Sequence, residues 1–213
     1  MKAALPSIAA YALPQARELP TVRAPWRPER RRAALLIHDM QRYFLRPFPP
    51  EGPPLAPAIA NIAALAGRCR AHGMPVFYTA QVGEQERRDR GLQADLWGPG
   101  MSRSAEHEPI VDALAPEDGD IVLVKHRYSA FQRSNLEALM RARGRDQLVV
   151  CGVYAHIGCL LTAADAFMRD IEPFLAADAL ADFSRQRHDM ALAYAASVCA
   201  VPMTTAQLME AIG

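Results

Sequence analysis

The residues best placed to do chemistry in this chain stand directly behind short apolar runs. Asp39 follows AALLI (Ala33 to Ile37) and His38. Gln81 follows PVFYTA, and Lys125 closes DIVLVK with Arg127 and Tyr128 just behind it. Tyr154, His156, Gly158 and Cys159 come after the run from Asp146 to Val153. A carboxyl, an amide, several cations and two phenols gathered in one crevice could move a proton and hold a carboxylate. Taken singly, each has a plainer reading. Asp39 could cap the segment that starts at Met40, and Lys125 could end an exposed strand with its stem snorkelling.

Other chemistries find less support. Gly98-Pro99-Gly100 lacks the surrounding strand–GxxxxGK[ST]–helix pattern of a phosphate loop, and no GxGxxG follows a strand, so neither NAD nor FAD is indicated. The six His residues have no HxH or HExxH spacing, and no metal site is expected. No Ser sits in a GxSxG elbow. Cys159 lies near a helix start, where the dipole lowers a thiol pKa, and is the one nucleophile that has to be considered.

Elements in a regular alternation would position these residues. Strands are expected at Ala33 to Ile37, Pro75 to Ala80, Asp120 to Lys125, Asp146 to Val153 and Ile171 to Ala176, with a short one at Val201 to Thr204. Helices are expected at Ala58 to His72 (stopped by Gly73), Ser134 to Arg143 (closed by Gly144), Ile157 to Asp170 and Arg187 to Val198. Strands that are apolar throughout and alternate with helices imply an α/β fold, a three-layer α/β/α sandwich around a mostly parallel sheet. Ligands of such sheets bind beyond the carboxyl ends of the strands. The segment Gln81 to Glu108 reads as a long irregular loop of the kind that often forms a lid.

The 213 residues suit one domain, here 33–213, preceded by a Pro-rich extended arm, 1–32, that ends in Arg30-Arg31-Arg32. That Arg run reads as a solvated charge cluster rather than an anion site. With 24 Lys+Arg against 23 Asp+Glu the net charge is +1, which does not fit a nucleic-acid binder. The hydrophobic share, 51%, is that of a globular chain, not a disordered one. Four Cys without paired spacing suit a reducing compartment, and a cytoplasmic location is expected. The start MKAALPS loosely imitates a signal peptide, but Pro6 interrupts it. No run of about 18 apolar residues would span a membrane.

LLIHDMQRYFL (Leu35 to Leu45), YTAQ (Tyr78 to Gln81), KHRYSAF (Lys125 to Phe131) and CGVYAHIGC (Cys151 to Cys159) together resemble the isochorismatase family over nearly the whole chain. HDMQRYFLRP and GLQADLWGPGM look closer to its phenazine-pathway members, which act on 2-amino-2-deoxyisochorismate, than to its siderophore-pathway members. The larger siderophore-pathway relatives carry a carrier-protein domain, so an end at Gly213 suggests a stand-alone hydrolase. The wider superfamily includes cysteine amidases with an Asp–Lys–Cys triad. Counting along their G-x-x-x-x-x-C motif from Gly152 reaches Gly158, so glycine occupies the nucleophile position. Cys159 is one residue off, a rotation of about 100° on a helix.

The resemblance implies hydrolysis of an enolpyruvyl vinyl ether to pyruvate by protonation of its terminal carbon, with no covalent intermediate, cofactor or metal. Asp39 would be the acid and Lys125 would hold the enolpyruvyl carboxylate or ether. Phe44, Gln81, Arg90, Trp97, Tyr128, Tyr154 and the backbone of Gly158 would line the pocket for a small dicarboxylate. Among Arg87, Arg88 and Arg90, the assignment to Arg90 rests on matching RGL to the family. The family also implies a cis peptide at Val153-Tyr154 and a homodimer. The amine substrate leads; isochorismate is the alternative, with a cysteine amidase or a non-catalytic binding module behind it. Burial and substrate charge should raise the Asp39 pKa, and Lys125 should lower it.

Overall fold

A computed structural model describes residues 5–213. The first four residues of the expected arm, including Lys2 of the signal-like start, lie outside them. Among the described residues there are six strands: β1 (Ala33–His38), β2 (Val76–Ala80), β3 (Ile121–Val124), β4 (Gln147–Val153), β5 (Glu172–Ala181) and β6 (Val201–Met203). They form one sheet in the order β3-β2-β1-β4-β5-β6, with every pairing parallel. The helices are α1 (Arg42–Leu45), α2 (Leu55–Ala71), α3 (Arg87–Arg90), α4 (Gln93–Trp97), α5 (Leu136–Arg141), α6 (Leu160–Phe167), α7 (Arg185–Val198) and α8 (Thr205–Ile212). A π-helical turn, Ala155–Cys159, leads into α6.

The strand period of two divides the core into two layers. Leu35, Ile37, Val149, Cys151, Phe174 and Ala176 pack with Ile62 and Leu65 of α2 and Leu208 of α8. The alternate residues Ala34, Leu36, Leu148, Val150 and Leu175 pack with Leu136, Met140, Leu160, Ala163 and Leu192 from α5, α6 and α7. Each fully buried aliphatic or aromatic side chain contributes roughly 1.5–3 kcal/mol. Residues 5–32 carry one 3-10 turn, Ala16–Glu18, and dock through Ile8, which is buried in the first layer. Tyr11 and Gln147 tie this stretch down: the amide of Asp182 donates to the Tyr11 hydroxyl, and the Gln147 side chain donates to the Arg27 carbonyl. Within the arginine run Arg32 is committed to protein partners, pairing with Asp146 at 2.8 Å and with Glu29 at 2.9 Å.

Several elements differ from the sequence expectation. β5 runs on to Ala181, because the small side chains of Ala176, Ala177 and Ala179 let helices close over both faces despite alanine's weak strand preference. α8 was not anticipated, although Thr204 and Gln207 form a capping box that marks its start. The expected loop Gln81 to Glu108 contains α3 and α4, too short to show a helical period.

His188, on α7, is fully buried. Burial pushes its imidazole down to about 4, against the opposing pull of Asp182 and of the Ala177 carbonyl that accepts from its Nε2. An unfolded His titrates near 6.5. Between these values the unfolded chain therefore binds the extra proton, so stability falls as the pH drops through that window. Urea unfolding measured from about pH 7 down to about pH 4.5 is expected to lose on the order of 3 kcal/mol through this group. His188→Gln should flatten that loss; an unchanged pH slope would contradict it.

Candidate active site

The chain leaves β1 toward β2 and β3 on one side and reaches β4, β5 and β6 on the other. The topological switch point thus lies between β1 and β4, where open parallel sheets hold their ligands. A cavity enclosing about 570 Å³, counted out to its open mouth, sits there. It is lined by Asp39, Phe44, Gln81, Arg90, Trp97, Lys125, Tyr128, Tyr154 and Gly158. All nine residues named from the sequence are thus brought to one place. His38, Tyr43, Gln93, Ile157 and Phe183 also line it and were not anticipated. Phe183 escaped because β5 was expected to stop early, and Gln93 because it lies in α4.

Asp39 does not cap a helix; the N-cap of α1 is Gln41. Its φ of 51° turns the chain sharply at the end of β1 and leaves the carboxyl buried. The Thr79 hydroxyl donates to Oδ1 at 2.6 Å and accepts from the Asp39 amide at 3.1 Å. Oδ2 faces Lys125 Nζ at 3.0 Å, Gln81 Nε2 at 3.5 Å and His38 Nδ1 at 3.7 Å. Burial pushes this carboxyl up, but Lys125, His38 and the Thr79 hydroxyl outweigh it and hold the carboxyl below its ordinary value. The resting site therefore contains a carboxylate.

Lys125 is no exposed strand end, being 2% exposed. Besides Asp39, its ammonium donates to the carbonyls of Arg127 at 2.8 Å and Tyr128 at 3.4 Å. Its three N–H bonds thus face three protein acceptors, Asp39 and the two carbonyls.

Among the described cavity residues Arg90 is a cation without an acidic partner. Arg87 pairs with Asp95 and Arg88 with Glu86, both at the surface, whereas Arg90 is buried. Its Nε donates to the Gly98 carbonyl at 2.5 Å. No acidic side chain among the described residues pairs with it, and desolvation lowers its pKa. A buried guanidinium whose terminal nitrogens lack an anion is a ready fork for a carboxylate.

Aromatic side chains form the rest of the wall. Trp97 Nε1 donates to the Tyr128 hydroxyl at 2.6 Å, which both pins the 81–108 segment over the site and leaves the Tyr128 proton available. The Tyr154 hydroxyl donates to the Phe44 carbonyl at 2.6 Å. Phe183 packs on Tyr154 with ring centroids 4.3 Å apart. The Val153-Tyr154 peptide is cis. His156 donates its amide to Asp182 at 2.7 Å, and its ring contacts the same carboxylate. Cys159 is fully buried in the second core layer, is not among the cavity-lining residues, and burial raises its thiol pKa well above the ordinary value. Among the described residues no group of three or more His, Cys, Asp or Glu is arranged to hold a metal, and no helix is long and apolar enough to cross a membrane.

Residues 33–207 match the Isochorismatase domain family. Over 208 residues the chain is 52% identical to enterobactin synthase component B of Escherichia coli K12, covering 98% of this chain and 73% of that protein. It is likewise 52% identical over 206 residues to the phenazine biosynthesis protein PhzD1 of Pseudomonas aeruginosa, covering 97% of this chain and 99% of that one. Overall identity therefore does not separate these two relatives. Among solved structures, a cysteine hydrolase from Pseudomonas syringae superposes with a TM-score of 0.77 at 25% identity, covering 90% of this chain and 96% of that one.

Proposed function

The chain belongs to the isochorismatase family, and on that premise we propose that it hydrolyses the enolpyruvyl ether of 2-amino-2-deoxyisochorismate, releasing pyruvate and trans-2,3-dihydro-3-hydroxyanthranilate. The observation that carries the ether-hydrolysis part of this reading is a buried Arg90 fork, without an acidic partner among the described residues, in the same cavity as the Asp39–Lys125 pair. One holds a carboxylate and the other supplies a proton. No nucleophile is needed.

In this mechanism Asp39, held by Thr79 at Oδ1 and by Lys125 at Oδ2, protonates the terminal CH2 of the vinyl ether. The C–H bond forms with the alkene π electrons, and the adjacent ether oxygen takes up the positive charge as an oxocarbenium ion. Water adds to that carbon and gives up a proton to the Asp39 carboxylate, and the hemiketal collapses to pyruvate and the ring alcohol. The resting carboxylate is made an acid by the substrate itself: its two carboxylates bring negative charge into a dry cavity and raise the proton affinity of Asp39. Lys125 fixes Oδ2 in place. Arg90 holds the substrate, and Trp97, Tyr154 and Phe44 exclude bulk water.

A second substrate, isochorismate, is favoured by a specific feature. Asp39 is the one carboxylate among the described cavity residues, and Lys125 already pairs with it, so no acidic group is reserved for the substrate ammonium. Pyruvate release from the two substrates, coupled to lactate dehydrogenase, compares them directly. On the resemblance of HDMQRYFLRP and GLQADLWGPGM to phenazine-pathway members alone, the amine is expected to have the higher kcat/KM. A hydroxyl substrate favoured more than about tenfold would establish the second reading, and pyruvate from neither would reject both.

Arg90→Lys keeps the charge but loses the fork. A charge-assisted bond of roughly 1.5–3 kcal/mol predicts a KM raised about 10- to 100-fold, with a smaller change in kcat. An unchanged KM would place the substrate carboxylate elsewhere.

A further inference from the structure

Gly158 has no side chain, and His38 explains why. Gly158 lies in the π-helical turn with no left-handed φ, so its backbone alone would accept any L-residue. A Cβ built there would stand 2.1 Å from His38 Cε1 and 2.7 Å from its Nε2. Both are far inside van der Waals contact, and the ring cannot simply step aside. It is 1% exposed, its Nδ1 donates to the Val153 carbonyl at 2.8 Å, and its Nε2 lies 3.3 Å from the Tyr128 carbonyl. Behind it the backbone is also locked, because a Cβ on Gly152 would fall 2.2 Å from the His38 carbonyl.

The strand period explains the placement. His38 follows Ala34 and Leu36 on the β1 face covered by α5, α6 and α7, and so points at the turn before α6. The next residue is Asp39, and the Tyr128 carbonyl near the ring also accepts from Lys125. One imidazole thus joins the ends of β1 and β4, the loop after β3 and both members of the acid–lysine pair.

We propose that His38 is the positioning residue of this site: its ring fills the volume that a thiol on residue 158 would occupy and clamps the β1 end so that Asp39 works as an acid. A fold shared with a cysteine hydrolase is thereby closed to thiol chemistry by bulk at position 38 as well as by the missing sulfur at 158. The effect on turnover rests on the vinyl-ether reading above; the steric interlock does not.

The test is a double-mutant cycle of His38→Ala and Gly158→Ala, read by thermal unfolding and by pyruvate release. Gly158→Ala alone should lower Tm or fail to fold. Added to His38→Ala, the same substitution should cost little Tm, because the added methyl enters the vacated space. His38→Ala should lower kcat by up to about 100-fold, the scale of a misplaced catalytic group, with KM changed less than about threefold. His38→Asn, whose amide can donate to Val153, should recover part of kcat. Gly158→Ala with wild-type Tm, a Tm loss that is purely additive, or a double variant that fails to fold while His38→Ala folds would each overturn the interlock. An unchanged kcat in His38→Ala would overturn the positioning role. If the wild-type protein released no pyruvate, the vinyl-ether reading would fail while the Tm cycle still judged the interlock.

Discussion

Asp39→Asn is expected to lower kcat for pyruvate release roughly 10³-fold, within the range that a positioned general acid supplies. Asparagine nearly preserves the shape and can still accept from the Thr79 hydroxyl, but it has no proton to give to carbon. Binding should survive, because the carboxylate fork belongs to Arg90 and the aromatic wall is untouched. The variant should therefore bind substrate with near-normal affinity by calorimetry and not turn it over. Near-normal turnover would remove Asp39 from the acid role, and loss of binding together with turnover would make it a binding residue.

Lys125→Met should have the largest effect on stability. Removing one partner of a buried ion pair typically costs about 3–5 kcal/mol, because the other charge is left in a dry site. Here the orphan would be Asp39, and the carbonyls of Arg127 and Tyr128 would lose their donor as well. Asp39 can neutralise itself by taking up a proton, and that gives the effect a sign. In the wild-type protein its folded pKa is depressed, so its contribution to stability is present above the unfolded value and is lost as pH falls through the folded one. In Lys125→Met burial is no longer outweighed and the folded pKa rises, so stability should instead fall as pH rises from about 5 to about 8. Adding Asp39→Asn to Lys125→Met removes the stranded charge and should restore much of the stability, short of the two hydrogen bonds that the Arg127 and Tyr128 carbonyls accepted from Lys125, with no return of activity. Denaturant unfolding across pH separates these cases. If Lys125→Met unfolds with the wild-type pH slope, the pair is not coupled as its 3.0 Å distance implies.

The strand ends carried most of the legible chemistry. Apolar runs ending in His38-Asp39, Ala80-Gln81, Val124-Lys125 and Val153-Tyr154 place their following residues at one edge of any parallel sheet, so a common crevice follows from topology alone. The 81–108 segment was less legible. Three nearby arginines have equal claim in a linear reading, and only folding turns Arg90 inward while Arg87 and Arg88 find acids at the surface. Lys125 shows the same limit, since its residue type suggests a grip on substrate and its three acceptors show a grip on the protein.

By itself the order of residues determined the alternating architecture and the placing of Asp39 and Lys125 at one edge of the sheet, and its resemblance to the family put glycine in the nucleophile position. These depend on local periodicity and on short motifs, both of which are written along the chain. Only the tertiary structure decided the resting charge state of Asp39 and the reason residue 158 must lack a side chain. The first is a balance between burial and a cation from a strand two places away in the sheet. The second is a contact between His38 on one side of the switch point and Gly158 on the other. Both are set by distances through space between segments far apart in sequence, where spacing along the chain carries no information.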